Sequence, residues 1–151
     1  CAYNNDENNV ETYGMLYNWY AVDDSRNIAP AGWHVPSDDE WKQMEMAIGM
    51  SQIEADGIAE RGTDEGTKLK ATSGWKRDEY NGTDDFGFSG LPGGLRMEDE
   101  YGYLGEFGGW WSSTEKSLTH AWVRGMVSVE PDFYRYDYPK GHGFSVRCVK
   151  D

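Results

Sequence analysis

Residues 32–49, GWHVPSDDEWKQMEMAIG, carry the clearest helix specification in the chain. Ser37 followed three residues on by Glu40 is a capping box, in which the hydroxyl and the carboxylate each satisfy a backbone N–H that the first turn leaves unpaired. Asp38 and Asp39 add negative charge at the positive end of the helix dipole. Trp41, Met44, Ala47 and Ile48 then form the buried stripe, and Gly49 is the stop. Beyond it the period changes. Residues 51–70 are acidic and glycine-punctuated with no sustained repeat, and from NGTDDFGFSGLPGGLR onward Gly, Asp, Asn and Pro separate short alternating runs. Helices first and strands later specify an α+β fold, not a doubly wound parallel sheet.

Two further patterns fill in this outline. Residues 1–9 are polar and turn-like, and in YGMLYNWYAV the spacing of Tyr13, Leu16, Tyr17 and Tyr20 predicts a short amphipathic helix. In the second half, Ala121, Val123, Gly125, Val127 and Val129 share one face of a predicted strand, with Trp122, Arg124, Met126 and Ser128 on the other. Phe144, Val146 and Cys148 predict a second such face near the C-terminus, opposed by Ser145, Arg147 and Val149.

The chain of 151 residues is one domain, able to bury about two thirds of the surface its unfolded state exposes. Its low apolar content, 38%, is offset by seven Trp, ten Tyr and five Phe, each of which buries a large area. A net charge of -13 opposes binding to nucleic acid or to an anionic membrane surface, and leaves neutral ligands, cations and basic protein patches. No apolar run is long enough to span a membrane. The N-terminus shows no signal peptide, so an exported form has already lost its leader.

Little in the sequence points to catalysis. His34, His120 and His142 are far apart and have no metal-ligand spacing, and neither a nucleophile elbow nor a phosphate-binding glycine loop is present. Cys1 and Cys148 stand at opposite ends, either joined by a disulfide or left as two thiols, with Cys148 on an apolar strand face more suited to structure than to nucleophilic attack. Asn81, Asp84 and Asp85 are the candidate oxygen ligands for calcium, with Asp64 and Glu65 offering more from a separate loop; the competing view of each is a solvated turn in an acidic chain. Asn81-Gly82-Thr83 fits a glycosylation sequon and is read as a turn.

Aromatic content is the stronger signal. Trp110 and Trp111 in an extended segment point to opposite faces, one into the core and the other nearer solvent. In PDFYRYDYPKGHG, Tyr134, Tyr136 and Tyr138 alternate with Arg135 and Asp137, which puts three phenols on one side. Tyrosines so placed give large, rigid contact area at low entropy cost. Trp122, Tyr134, Arg135, Tyr136, Tyr138 and His142 are therefore the candidate ligand-binding residues.

In order along the chain, YGMLYNWYAV, APAGWHVPSDDEW, KLKATSGW, NGTDDFGFSGLPGG, WWSSTE and GFSVRCVKD together resemble the Fibrobacter succinogenes major paralogous domain over nearly the whole chain. That family is similar to the C-type-lectin-like fold, shared by formylglycine-generating enzymes and the variable proteins of diversity-generating retroelements. The resemblance implies two helices flanking a small twisted antiparallel sheet, with a loop-rich second half. In it the WW motif and the last strand anchor the sheet, and residues 115–142 display the ligand surface. Strands that usually precede the first helix are expected to be missing from residues 1–151. Ala29 stands where related domains often carry a cysteine that would pair with Cys148, leaving Cys1, or a thiol outside the chain, as its partner.

The functional expectation is a non-enzymatic bacterial domain, secreted or on the cell surface and lipid-anchored in its full-length form, that serves adhesion by holding a saccharide or a protein. A retroelement variable protein, diversified within residues 115–142, is the alternative. A formylglycine-generating type of oxidation would need neighbouring paired cysteines, which Cys1 and Cys148 do not supply in sequence.

Overall fold

A computed structural model describes residues 1–151. Its α-helices all lie in the first half: α1 (Asn8–Tyr13), α2 (Trp19–Val22), α3 (Asp38–Ala47), α4 (Gln52–Asp56) and α5 (Glu65–Leu69). Strands β1 (Trp33–His34) and β2 (Ala59–Arg61) fall among them, and β3 (Gly93–Met97), β4 (Glu100–Leu104), β5 (Phe107–Glu115), β6 (His120–Val127), β7 (Phe133–Pro139) and β8 (Val149–Lys150) follow. The main sheet runs β2-β7-β6-β5-β3-β4, and β1 pairs with β8 apart from it. The α+β class holds. The loop-rich second half does not, because residues 93–139 supply five of the six strands of the main sheet. Irregular chain and short helices belong to the first half instead. Between the named strands of the main sheet pairing is antiparallel, except where Gly94 meets Gly108 in parallel between β3 and β5.

The expected capping box starts α3: Ser37 Oγ accepts from the Glu40 N–H at 3.3 Å, and the Glu40 carboxylate accepts from the Ser37 N–H at 2.8 Å. The helix ends at Ala47, with Gly49 at a φ of 137° that favours glycine. Trp41 and Ile48 are buried as the stripe requires and Met44 packs at the core edge, whereas Ala47 is exposed and Glu45 fully buried. A second box, Ser51 with Glu54, starts α4 in a region whose lack of periodicity had suggested no helix.

The predicted helix through Tyr13, Leu16, Tyr17 and Tyr20 is corrected. α1 begins in the segment expected to be a turn and stops before Gly14, whose φ of 74° leaves the helical region, and a new turn starts at α2 with Asn18 as its cap. Between them Tyr17 and Phe144 exchange both backbone hydrogen bonds, at 2.8 and 3.0 Å. This long-range pairing overrides the local spacing, so Leu16 is buried while Tyr20 is exposed. The regular C-terminal strand is corrected for the same reason. Residues 143–145 make single bridges to Arg96, Tyr17 and Trp110 in turn, and only Val149–Lys150 is a named strand.

Each face of the sheet carries its own core. On one side α3, α5 and the loops around Trp75 and Phe88 cover Trp110, Met126 and Phe133. On the other, Trp19 of α2, Leu95 and Phe144 cover Trp111, Ala121 and Val123. Trp110 and Trp111 do face opposite ways, but neither is near solvent, because both faces are covered at that point. Trp111 Nε1–H donates to the Tyr17 carbonyl at 2.7 Å and Trp19 Nε1–H to the Ser112 carbonyl at 2.9 Å, so both indoles are satisfied inside the second core.

Candidate functional site

Register decides which candidate residues can act together. In the β6–β7 ladder Gly125 opposes Tyr134, Val123 opposes Tyr136 and Ala121 opposes Tyr138, all on one face; Trp122 opposes Asp137 and Arg124 opposes Arg135 on the other. The three phenols therefore share a surface, as their alternation required. Trp122 and Arg135, grouped with them from sequence, are corrected to the opposite, helix-covered face.

Arg135 belongs to a buried ion network there. Its Nε and Nη2 donate to the two Asp38 carboxylate oxygens at 2.9 and 2.7 Å, and its guanidinium lies 3.7 Å from the centre of the Trp122 ring. Arg124, wholly buried, reaches Asp38 at 2.8 Å and Glu45 through its Nε, and Arg61 grips both oxygens of Glu45 at 2.8 and 2.9 Å. Burial alone would raise the Asp38 carboxyl; the hydrogen bonds and charge of Arg135 and Arg124 outweigh it and hold it at about 2. Burial lowers the Arg124 guanidinium, opposed by Glu45 and Asp38. The network clamps α3 to β2, β6 and β7, and it was not anticipated. Asp38 and Glu45 lie 79 to 97 residues from Arg124 and Arg135, and only the fold joins them.

The phenol face is open where the second core ends. A groove of about 330 Å³ runs across it, with Leu95, Met97 and Tyr103 on one side, Phe107 and Val127 in the middle, and Tyr134, Tyr136 and Tyr138 on the other. Glu106 is its one charged lining residue. Two glycines shape the floor: a Cβ at Gly125 would meet the Phe107 ring at 2.7 Å, and one at Gly109 would meet it at 2.5 Å. Their absence of side chains lets Phe107 lie flat across β5 and β6.

Tyr134 and Tyr136 stack with centroids 5.7 Å apart, and Tyr138 meets Tyr136 edge-on at 6.5 Å. Tyr134 is mostly buried, whereas Tyr136 and Tyr138 are half-buried. Burial pushes the Tyr134 phenol up to about 12, helped by Glu130, Glu60 and Asp132, and raises Tyr136 and Tyr138 as well. His142 lies 6.0 Å from Tyr138 and lines an adjoining acidic depression with Met97, Glu98, Asp99 and Glu100. Burial lowers its imidazole. Within residues 115–142, expected as a display segment, Ala121–Met126 are all buried.

The remaining candidates stand elsewhere. No group of three or more His, Cys, Asp or Glu side chains comes together to hold a metal ion. Asp84 accepts from the N–H and hydroxyl of Ser89, both at 2.6 Å, Asn81 Oδ1 accepts from the Trp75 N–H at 3.2 Å, and Asp85 is exposed beside them. Asp64 pairs with Lys68 at 2.6 Å, and Glu65 accepts from the N–H groups of Thr63 and Asp64. Asp84, Asn81 and Glu65 thus shape turns. His34 bridges Glu40 and Asp151 at 2.7 and 2.6 Å, and His120 contacts Thr119. Cys1 and Cys148 are both free thiols; burial raises Cys148, which disfavours the reactive thiolate. No helix is long and apolar enough to cross a membrane.

A mixed α+β domain with a rigid sheet, an ion-clamped helix on one face and an aromatic groove on the other is the class these features define. The chain belongs to the Fibrobacter succinogenes major domain family, whose model matches residues 1–150. No curated protein and no solved structure gives a match.

Proposed function

We propose that this domain is a non-catalytic ligand-binding module of the bacterial cell surface or of secreted proteins, lipid-anchored in its full-length form, and that its binding face is the tyrosine groove. The observation that carries this is the groove itself: eight of its nine lining residues are hydrophobic or aromatic, and they are held in register by β3 to β7. Concave, largely apolar sites with a few polar groups are where proteins take ligands. A C-type-lectin-like relationship fits a fold in which a sheet held by two cores offers part of one face to a partner.

The ligand is a saccharide or a protein segment laid across Tyr136 and Tyr138. Both classes exploit tyrosine, whose ring stacks and whose hydroxyl hydrogen-bonds. A glycan and protein array probed with the wild type and with Tyr136→Ala tests the proposal. Binding by the wild type that Tyr136→Ala loses, with folding intact, is expected; binding that survives Tyr136→Ala and Tyr138→Ala puts the face elsewhere.

A further inference from the structure

Seven cations of the chain lie over aromatic rings, and none of them over a ring of the groove. Lys70 lies over Trp75, Arg77 over Tyr80, Arg96 over Tyr101, Lys116 and Arg135 over Trp122, Lys140 over Trp19 and Arg147 over Phe88. None of these rings lines the groove. Tyr103, Phe107, Tyr134, Tyr136 and Tyr138 gather in one concavity with no cation of the chain over any of them.

The charge around those rings is negative. Glu106 lines the groove, Glu60 opposes Tyr134 across the β2–β7 ladder, and Glu98 and Glu100 line the adjoining depression that shares Met97. Arg96 approaches Asp99 at 3.4 Å, while Glu98 and Glu100 have no ion-pair partner. After burial, the groups that act on the Tyr134 phenol are Glu130, Glu60, Asp132 and Tyr136, with no cation among them. Lys76 reaches the rim to pair with Glu106 Oε1, and Glu106 Oε2 has no partner. A ligand ammonium would share the Glu106 carboxylate with Lys76 or displace it.

We infer that the groove recognises an organic ammonium group, seated against Tyr103, Tyr136 and Tyr138 with Glu106 as its counter-charge. Aromatic faces attract cations through their quadrupole, the attraction strengthens as water is excluded, and a nearby carboxylate adds to it. The inference rests on the groove being the binding face. The ammonium is that of a lysine side chain of a protein ligand, the group that Lys76 already offers to Glu106; choline stands for a small-molecule source.

The test is an NMR titration of the 15N-labelled domain with three probes: choline, its neutral isostere 3,3-dimethylbutan-1-ol, and Nα-acetyl-lysine N-methylamide. Choline or the lysine derivative should shift groove resonances and bind about 5- to 10-fold more tightly than the isostere. Tighter binding of the lysine derivative than of choline is the expected result, and tighter binding of choline overturns the protein source. Glu106→Gln, on the rim, should weaken the cationic probes about 3-fold and leave the isostere unchanged, whereas Lys76→Met, which frees the carboxylate, should tighten them by a similar factor. Equal or tighter binding of the isostere overturns the ammonium inference and keeps the groove as an apolar site. Shifts confined to residues outside the groove, or no shifts with any probe, overturn the inference; an array ligand that maps to the groove would then show that the binding face itself survives.

Discussion

The two faces of the sheet use the same residue types to opposite ends. On the helix-covered face, arginines and aromatics are consumed internally: Arg61, Arg124 and Arg135 are locked onto Glu45 and Asp38, and the Trp122 ring is covered by Arg135 and Lys116. On the groove face, aromatics from β4, β5 and β7 converge without a cation of the chain to cover them. A buried charge without its partner is strongly destabilising, so the first arrangement resists change. The exposed Tyr103 and half-buried Tyr136 and Tyr138 lose less when removed than core rings do, so they are free to serve a partner. The difference teaches that aromatic content alone does not mark a binding face; what matters is whether the fold has already satisfied the rings.

The largest effect should come from breaking the clamp. Glu45→Ala leaves Arg61 and Arg124 facing each other in the interior and should cost about 3 to 5 kcal/mol, seen as a large drop in the thermal midpoint. Trp111→Ala, in the other core, should cost a similar ~3 to 5 kcal/mol by leaving a cavity, so a melt that separates these two variants widely would show that one of the clamp and the core matters less than supposed. Gly125→Ala sharpens the comparison from the groove side. Its new Cβ would meet Phe107 at 2.7 Å, pushing that ring into the groove at a cost of about 1 to 3 kcal/mol and weakening ligand binding together with stability. Ser37→Ala removes one half of the α3 capping box and should cost about 1 kcal/mol with no effect on binding.

Acid supplies a smaller, reversible version of the first experiment. The Asp38 carboxyl is held below its unfolded value, so it contributes stability that is fully present above about pH 4 and is lost as pH falls toward 2. Asp38→Asn should flatten that part of the stability profile, read by denaturant midpoints across the range.

Some of this was legible in the chain. The α3 helix follows from Ser37, Glu40 and Gly49 because the capping box and the stop lie within the segment itself, although the Asp38 N–H finds its acceptor in the distant Thr114 hydroxyl. The same grammar at Ser51 and Glu54 started α4, but a five-residue helix is too short to show a period. The three phenols were legible from alternation along one strand. That same alternation places Arg135 on the far side, and Trp122 followed only once β6 and β7 were paired. The rest of the groove was not legible, since Leu95, Phe107 and Val127 reach Tyr136 through three strand pairings set by the whole sheet. Nor was the extended bridge of Tyr17 with Phe144, in which a hydrogen-bonded partner from the other end of the chain defeats a local helical spacing.

The most direct measurement compares Tyr136→Ala with Arg135→Ala, neighbours in sequence that point to opposite faces. Each is melted and each is titrated with the strongest ligand from the array. Tyr136→Ala should keep its thermal midpoint to within about 1 kcal/mol of the wild type and lose binding, because a half-buried ring contributes contact more than core. Arg135→Ala should lose about 3 kcal/mol or more of stability by leaving Asp38 without its bidentate partner, while its folded fraction still binds. A Tyr136→Ala variant that melts as early as Arg135→Ala, or that binds as well as the wild type, would contradict the division of labour between the two faces.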